Sequence, residues 1–147
     1  MLNRFQDVFE SLQEHEVRYL IIGGIAAVIH GVPRMTFGPD LLIEPTRDNA
    51  SRLLAALEDA HLGTATLTTA EQLVDQEITI FNDRIRIDVQ TKTPGIEFPD
   101  AWERRLEQTF RTARLQILSK EDLIRSKQAS GRPIDLADIA ALEGENI

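Results

Sequence analysis

Tyr19-Leu20-Ile21-Ile22 is an unbroken apolar run closed by Gly23-Gly24, and no other feature of the chain restricts its fold as much. Four successive apolar residues leave no face for water, so the segment suits a strand covered on both sides at the centre of a sheet. The glycines allow a tight turn. Ile25 to His30 then reads as a short helix, with Gly31 placed to cap its C-terminus and Pro33 preventing continuation. Strand, double glycine and helix form the first unit.

The flanking segments extend this pattern. Leu2, Phe5, Val8 and Leu12 recur at helical spacing, so residues 3 to 15 read as an amphipathic helix. Asp40 to Ile43 reads as a second strand stopped by Glu44-Pro45. Thr46 then caps a helix whose inner face is Ala50, Leu53, Leu54 and Leu57. Thr68-Thr69-Ala70-Glu71 has the spacing of a capping box for a short helix to about Asp75. Glu77 to Phe81 and Arg84 to Gln90 read as a hairpin turning at Asn82-Asp83, with Ile85, Ile87 and Val89 on one face and Arg84, Arg86 and Asp88 on the other. Between 91 and 112 the pattern is weakest. Pro94-Gly95 and Pro99 mark loops there, and Ala101 to Gln108 reads as a helix. Ala113 to Leu118 reads as a last strand. Ser119 caps a helix ended by Gly131, and Pro133 opens a closing helix whose Leu136, Ile139, Ala140 and Leu142 are expected to pack inward. The expectation is one α/β domain over 1–147, a mixed β-sheet of four or five strands flanked by α-helices.

Charge narrows the function classes. Lys and Arg number 16 against 24 Asp and Glu, a net charge of -8, which repels polyanions and argues against a broad nucleic-acid surface. A local site for one phosphate group is compatible with that balance. Cysteine is absent, which excludes thiolate metal sites and a cysteine nucleophile and fits a reducing compartment. The start of the chain lacks the apolar core of a signal peptide, and the longest apolar stretch, Tyr19 to Ile29, is too short to span a bilayer. A cytoplasmic location and no membrane partner are expected.

Several residues have chemistry to offer. Gly23 and Gly24, at the mouth of a strand running into a helix, present backbone amides and a helix dipole suited to phosphate, although glycine also serves there for its backbone angles alone. Arg34 carries a guanidinium fork able to hold a phosphate oxygen, or is a surface arginine beside Pro33. Asp88 either faces a site or pairs with Arg84 and Arg86 on its strand face. Lys127 and Arg132 either meet phosphate or base, or, for Lys127, serve the C-terminal end of its helix through the dipole. Asp135 and Asp138 share a helix face, and structural roles suffice for both. His15, His30 and His61 are too scattered to form a metal site, and His30 is read as a packing or hydrogen-bonding residue.

Taken together, Gly23-Gly24, His30-Gly31, Arg34, Thr36, Asp40 and Asp88 resemble the nucleotidyltransferase superfamily of polymerase-beta-like fold, and within it the small AbiEii-type toxins and minimal nucleotidyltransferases. The resemblance runs over Tyr19 to Ile43, Arg84 to Asp88 and Leu118 to Asp138. It implies a nucleoside triphosphate held by Gly23, Gly24, Arg34 and Thr36, and Mg2+ bound by Asp40 and Asp88 as catalytic carboxylates. It also implies transfer of a nucleotidyl group to RNA, a protein hydroxyl or a small molecule. Such chemistry uses two metal ions about 3.5 to 4 Å apart to clamp the attacking and leaving oxygens.

One departure stands out. Aligned on Thr36, the family's first aspartate falls at position 38, where this chain has Gly38, followed by Pro39. No neighbour replaces it by spacing. Glu44 lies about 13 Å along the strand from Asp40 and Asp48 farther, and Asp7, Glu77 or Asp135 would have to arrive through the fold. An impaired enzyme is therefore expected, or an inactive nucleotide-binding or partner-binding module, with a toxin-antitoxin system as one setting the resemblance implies.

Overall fold

The computed structural model describes residues 2–144. Its elements run α1 (Gln6–Glu14), β1 (Tyr19–Ile22), α2 (Gly23–Ile29), β2 (Asp40–Ile43), α3 (Arg47–Asp59), α4 (Ala70–Asp75), β3 (Ile78–Asn82), β4 (Arg86–Gln90), α5 (Phe98–Glu103), β5 (Leu106–Phe110), β6 (Ala113–Ile117), α6 (Lys120–Ser130) and α7 (Pro133–Leu142). The strands form one mixed sheet of order β3-β4-β2-β1-β6-β5, flanked by the helices. All four residues of β1 are buried, as an unbroken apolar run requires.

Register decides where the site lies. Strand β1 pairs antiparallel with β2, so Ile22 at its end meets Asp40 at the start of β2. Strand β2 pairs parallel with β4, which brings Asp40 beside Asp88. On β4, Ile87 and Val89 are buried, leaving Arg86 and Asp88 on the open face. The core behind the sheet takes Val8, Phe9 and Leu12 from α1 and Ala50, Leu53, Ala56 and Leu57 from α3. Thr46 caps α3 by accepting from the Asn49 amide, and Ser119 caps α6 from the Asp122 amide. Gly131 closes α6 in the left-handed region at φ 68°.

Several expectations are corrected. The sheet has six strands because Leu106–Phe110 is strand β5; the helix expected over Ala101 to Gln108 ends at Glu103. Pro99 lies in the first turn of α5, where its missing amide costs no hydrogen bond. Strand β5 was hard to read because it is an edge strand whose residues are mostly exposed, so it carries little apolar alternation. The β3–β4 hairpin turns through Asp83, Arg84 and Ile85, since Asn82 already pairs with Arg86. Arg84 therefore leaves the strand face of Asp88 and binds Asp7 and the Ala60 carbonyl. Helix α4 is capped one residue later than expected, by Thr69 accepting from Gln72. Helix α2 starts at Gly23 itself.

The largest correction concerns α7. Leu136 points to solvent at 57% exposure, while Asp135, Asp138 and Leu142 form the buried face. Lys127 is buried opposite them, its Nζ 2.7 Å from Asp138 Oδ2 and 3.5 Å from Asp135 Oδ1. A dipole interaction at a helix end is not its main role. Asp138 also accepts from Arg34 at 2.6 Å, and Arg132 clasps Asp135 through Nε at 2.8 Å and Nη2 at 3.2 Å. Breaking one partner of a buried ion pair strands the other without water, so Asp138→Asn should lower unfolding stability by about 3 kcal/mol in a denaturant titration. The double change Lys127→Met with Asp138→Leu should cost less than Asp138→Asn alone, because it leaves no buried ammonium to be paired while Asp135 keeps Arg132 and Arg34 reaches solvent.

Candidate functional site

At the end of β1 the backbone turns sharply into α2, with Gly23 at φ 65°. A side chain there is excluded twice. The left-handed region penalises any Cβ by roughly 1–2 kcal/mol, and a Cβ on Gly23 would stand 2.3 Å from Asp40 Oδ2. The glycine thus leaves the space that the Asp40 carboxylate fills. Gly24 has a similar relation to the following loop, since a Cβ there would lie 2.9 Å from Thr36 Oγ1. Thr36 in turn donates to the Gly38 carbonyl at 3.4 Å. Gly23, Gly24, Thr36, Asp40 and Asp88 are therefore brought together at one edge of the open sheet face. Arg34 reaches the same region with its guanidinium bound to Asp138.

Two cavities meet at the carboxylates. One, of about 240 Å³, is lined by Gly24, Arg34, Phe37, Asp40, Arg86 and Asp88. The other, of about 400 Å³, has Gly23, Asp40, Asp88, Lys127, Arg132 and Asp135 in its walls. Lys127 and Arg132 are the residues the sequence offers as phosphate or base contacts, and the cavity wall brings them beside the carboxylates, although the resemblance does not include them in its site. The available signal for the buried lysine was Asp135, Asp138 and Leu142 at helical spacing, which places two carboxylates on the same stripe as a core leucine and so demands a buried cation. Of the acids named as able to arrive through the fold, Asp135 reaches the cleft, while Asp7 binds Arg84. Glu44 is turned away to Arg18, at 3.2 Å. His30 is a structural residue whose Nε2–H donates to the Leu118 carbonyl at 2.8 Å.

The electrostatics separate the carboxylates. Burial, and then repulsion from Asp88, push Asp40 up to about 6, against the pull of Arg86, Arg132 and the Gly24 backbone. Burial works to raise Asp135 as well, but hydrogen bonds from Arg132 and Ser130 and the nearby Lys127 bring it down to about 2. Asp88 is gripped by Arg86, whose Nε and Nη2 lie 2.9 and 3.3 Å from its two oxygens.

Fit to a metal follows from these positions. Among the described residues no group of three or more carboxylate or imidazole side chains is arranged to hold an ion. Asp40 and Asp88 as neighbours suit one Mg2+, which takes one or two carboxylates and fills its remaining positions with water and phosphate oxygens. They do not make the three-carboxylate set that a pair of ions calls for. Gly38 is closed to a replacement: a Cβ there would lie 2.3 Å from the Arg86 backbone carbonyl.

A mixed sheet that sets two carboxylates on adjacent strands beside a strand–glycine–helix turn defines a protein of the nucleotidyltransferase class. Over residues 2–143 the chain matches the family described as "Nucleotidyltransferase of unknown function (DUF6036)", and it belongs to that family. No protein with a curated description matches it. Among the described residues no helix is long and apolar enough to cross a membrane.

Two outcomes are expected from this geometry. Between its ordinary value of 3.8 and about 6, folded Asp40 holds a proton that the unfolded chain has released, so stability falls as pH rises through that window and stays lower above it. At 1.36 kcal/mol per pH unit the cost is on the order of 3 kcal/mol. Asp40→Asn should therefore raise the thermal midpoint at pH 8 and change it little at pH 4. Gly38→Asp should lower the midpoint, because the new Cβ must push the loop off β4, and should not tighten Mn2+ binding measured by electron paramagnetic resonance.

Proposed function

We propose that the chain binds a nucleoside triphosphate with Mg2+ in the cleft shared by Asp40 and Asp88, and that nucleotidyl transfer to an acceptor hydroxyl is its ancestral chemistry, slowed here by the altered metal loop. The observation that carries this reading is the pairing of Asp40 with Asp88 across β2 and β4 at the end of β1 where Gly23 turns into α2. Asp40 and Asp88 would hold the ion, which supplies charge neutralisation to the phosphates when bound. Arg132, exposed at the border of the larger cavity, gives that side of the cleft its cation for a polyphosphate, while Lys127 behind it is paired with Asp135 and Asp138. Gly23 and Gly24 make room for Asp40 and Thr36 at the cleft, and Thr36 and Arg34 hold the opposite wall in place.

Phosphoryl-type displacement depends mainly on positioning and on neutralising charge. In such a step the acceptor oxygen bonds to the α-phosphorus as the bond to pyrophosphate breaks. RNA, a protein hydroxyl and a small molecule all remain acceptor classes for this reading. The closed position at Gly38 favours a second one, in which the cleft binds nucleotide, or a protein partner in a toxin-antitoxin setting, without turnover.

Calorimetric titration with each of the four ribonucleoside triphosphates, with and without Mg2+, tests the proposal. Binding strengthened by Mg2+ is expected, and Asp88→Asn should weaken the Mg2+-dependent part by about tenfold or more, the scale of one charge-assisted contact. Binding by none of the four would refute it. Pyrophosphate release from the bound nucleotide separates a slow enzyme from a binding module.

A further inference from the structure

Arg86 precedes Asp88 by two residues on the open face of β4 and turns back onto it. One planar cation thereby engages both oxygens of the carboxylate through Nε and Nη2. Nη1 makes no hydrogen bond among the described residues, and the half-exposed guanidinium lines the same cavity as Asp40. The backbone of the same residue closes the place where a further ligand would stand, since its carbonyl blocks any side chain at Gly38. Where a two-ion site would have a carboxylate, this chain has a glycine packed against an arginine.

Charge balance gives the same picture. Three carboxylates holding two divalent ions leave one net positive charge to face a polyphosphate. Asp40 and Asp88 with one divalent ion and Arg86 leave the same net charge. A guanidinium suits the role because it stays protonated at any physiological pH and presents a rigid fork of donors to phosphate oxygens.

We propose that Arg86 is a built-in cation of the nucleotide site: its guanidinium takes over the charge of one of the two metal ions and binds polyphosphate directly, and Asp40 and Asp88 hold a single divalent ion. This rests on the reading of the cleft as a nucleotide site. It follows that polyphosphate binds even without metal, and that this metal-independent binding depends on Arg86.

The test uses the full chain, inorganic tripolyphosphate and Mn2+. Tripolyphosphate is titrated by calorimetry in excess chelator into wild type, Arg86→Gln and Arg86→Lys. Mn2+ is then counted by electron paramagnetic resonance at saturating tripolyphosphate. Metal-free binding by wild type is expected, weakened about tenfold or more in Arg86→Gln and partly recovered in Arg86→Lys, which keeps the charge and loses the fork. Mn2+ should saturate at one ion per chain. Two ions per chain, or equal metal-free affinity in wild type and Arg86→Gln, would overturn the inference while leaving Mg2+-dependent nucleotide binding intact. Failure of wild type to bind either tripolyphosphate or any nucleoside triphosphate would overturn the nucleotide reading and this inference together. Thermal unfolding of Arg86→Gln checks its fold, and Arg86→Lys provides the comparison if that variant is unstable.

Discussion

The molecule is organised around one carboxylate held where β1, β2 and β4 meet. Asp40 opens β2, lies against the end of β1 and pairs with Asp88 on β4. Its carboxylate occupies the space that a side chain at Gly23 would need. Burial and a like-charged neighbour make that position unfavourable for an ionised group. A fold selected for stability alone would place an apolar residue there, as it does at Leu41, Leu42 and Ile43 along the same strand. Cost concentrated at a concave surface is the usual mark of a working site.

The second constraint is the ion network that fastens the C-terminal helices to the cleft. Lys127 on α6 faces Asp135 and Asp138 on α7, and Asp138 reaches across to Arg34 in the loop before β2. Among the described residues no buried side-chain polar atom lacks a hydrogen-bond partner, so these charges are all accommodated. Buried pairs add little net stability compared with apolar packing. Their effect here is geometric: they fix the register of α7 against α6 and tie the wall of one cavity to the floor of the other. A ligand that competes for Lys127 or Arg132 would act on α7 as well as on the cleft.

Much of the architecture was legible along the chain. Tyr19–Ile22 could be bounded to the residue because a fully buried strand is an unbroken apolar run between turn residues, and Asp40–Ile43 because its buried Leu41-Leu42-Ile43 run is entered at Asp40 and stopped by Glu44-Pro45. Caps at Thr46 and Ser119 and the glycine stop at Gly131 were legible because each is a short-range hydrogen bond or backbone angle. Strand β5 was not, since exposed edge residues carry no apolar signal. Helix α7 was misread at Leu136 because apolar character alone does not say which stripe faces inward when two aspartates can be buried against a lysine from another helix.

For the site, sequence by itself determined the chemical types present: a double glycine after a buried strand, two aspartates on strands, arginines nearby and no carboxylate at position 38. Those are properties of residues and their close neighbours, fixed by spacing along one strand or one turn. Only the tertiary structure decided that Asp40 and Asp88 are cross-strand neighbours, that Arg86 is the cation on Asp88 while Arg84 leaves for Asp7, and that Lys127 and Asp135 border the cleft. It also decided that Gly38 is a packed position, because the atom that closes it is a carbonyl forty-eight residues away in the chain. Contacts between distant segments depend on sheet register and helix packing, and no local pattern of residues records either.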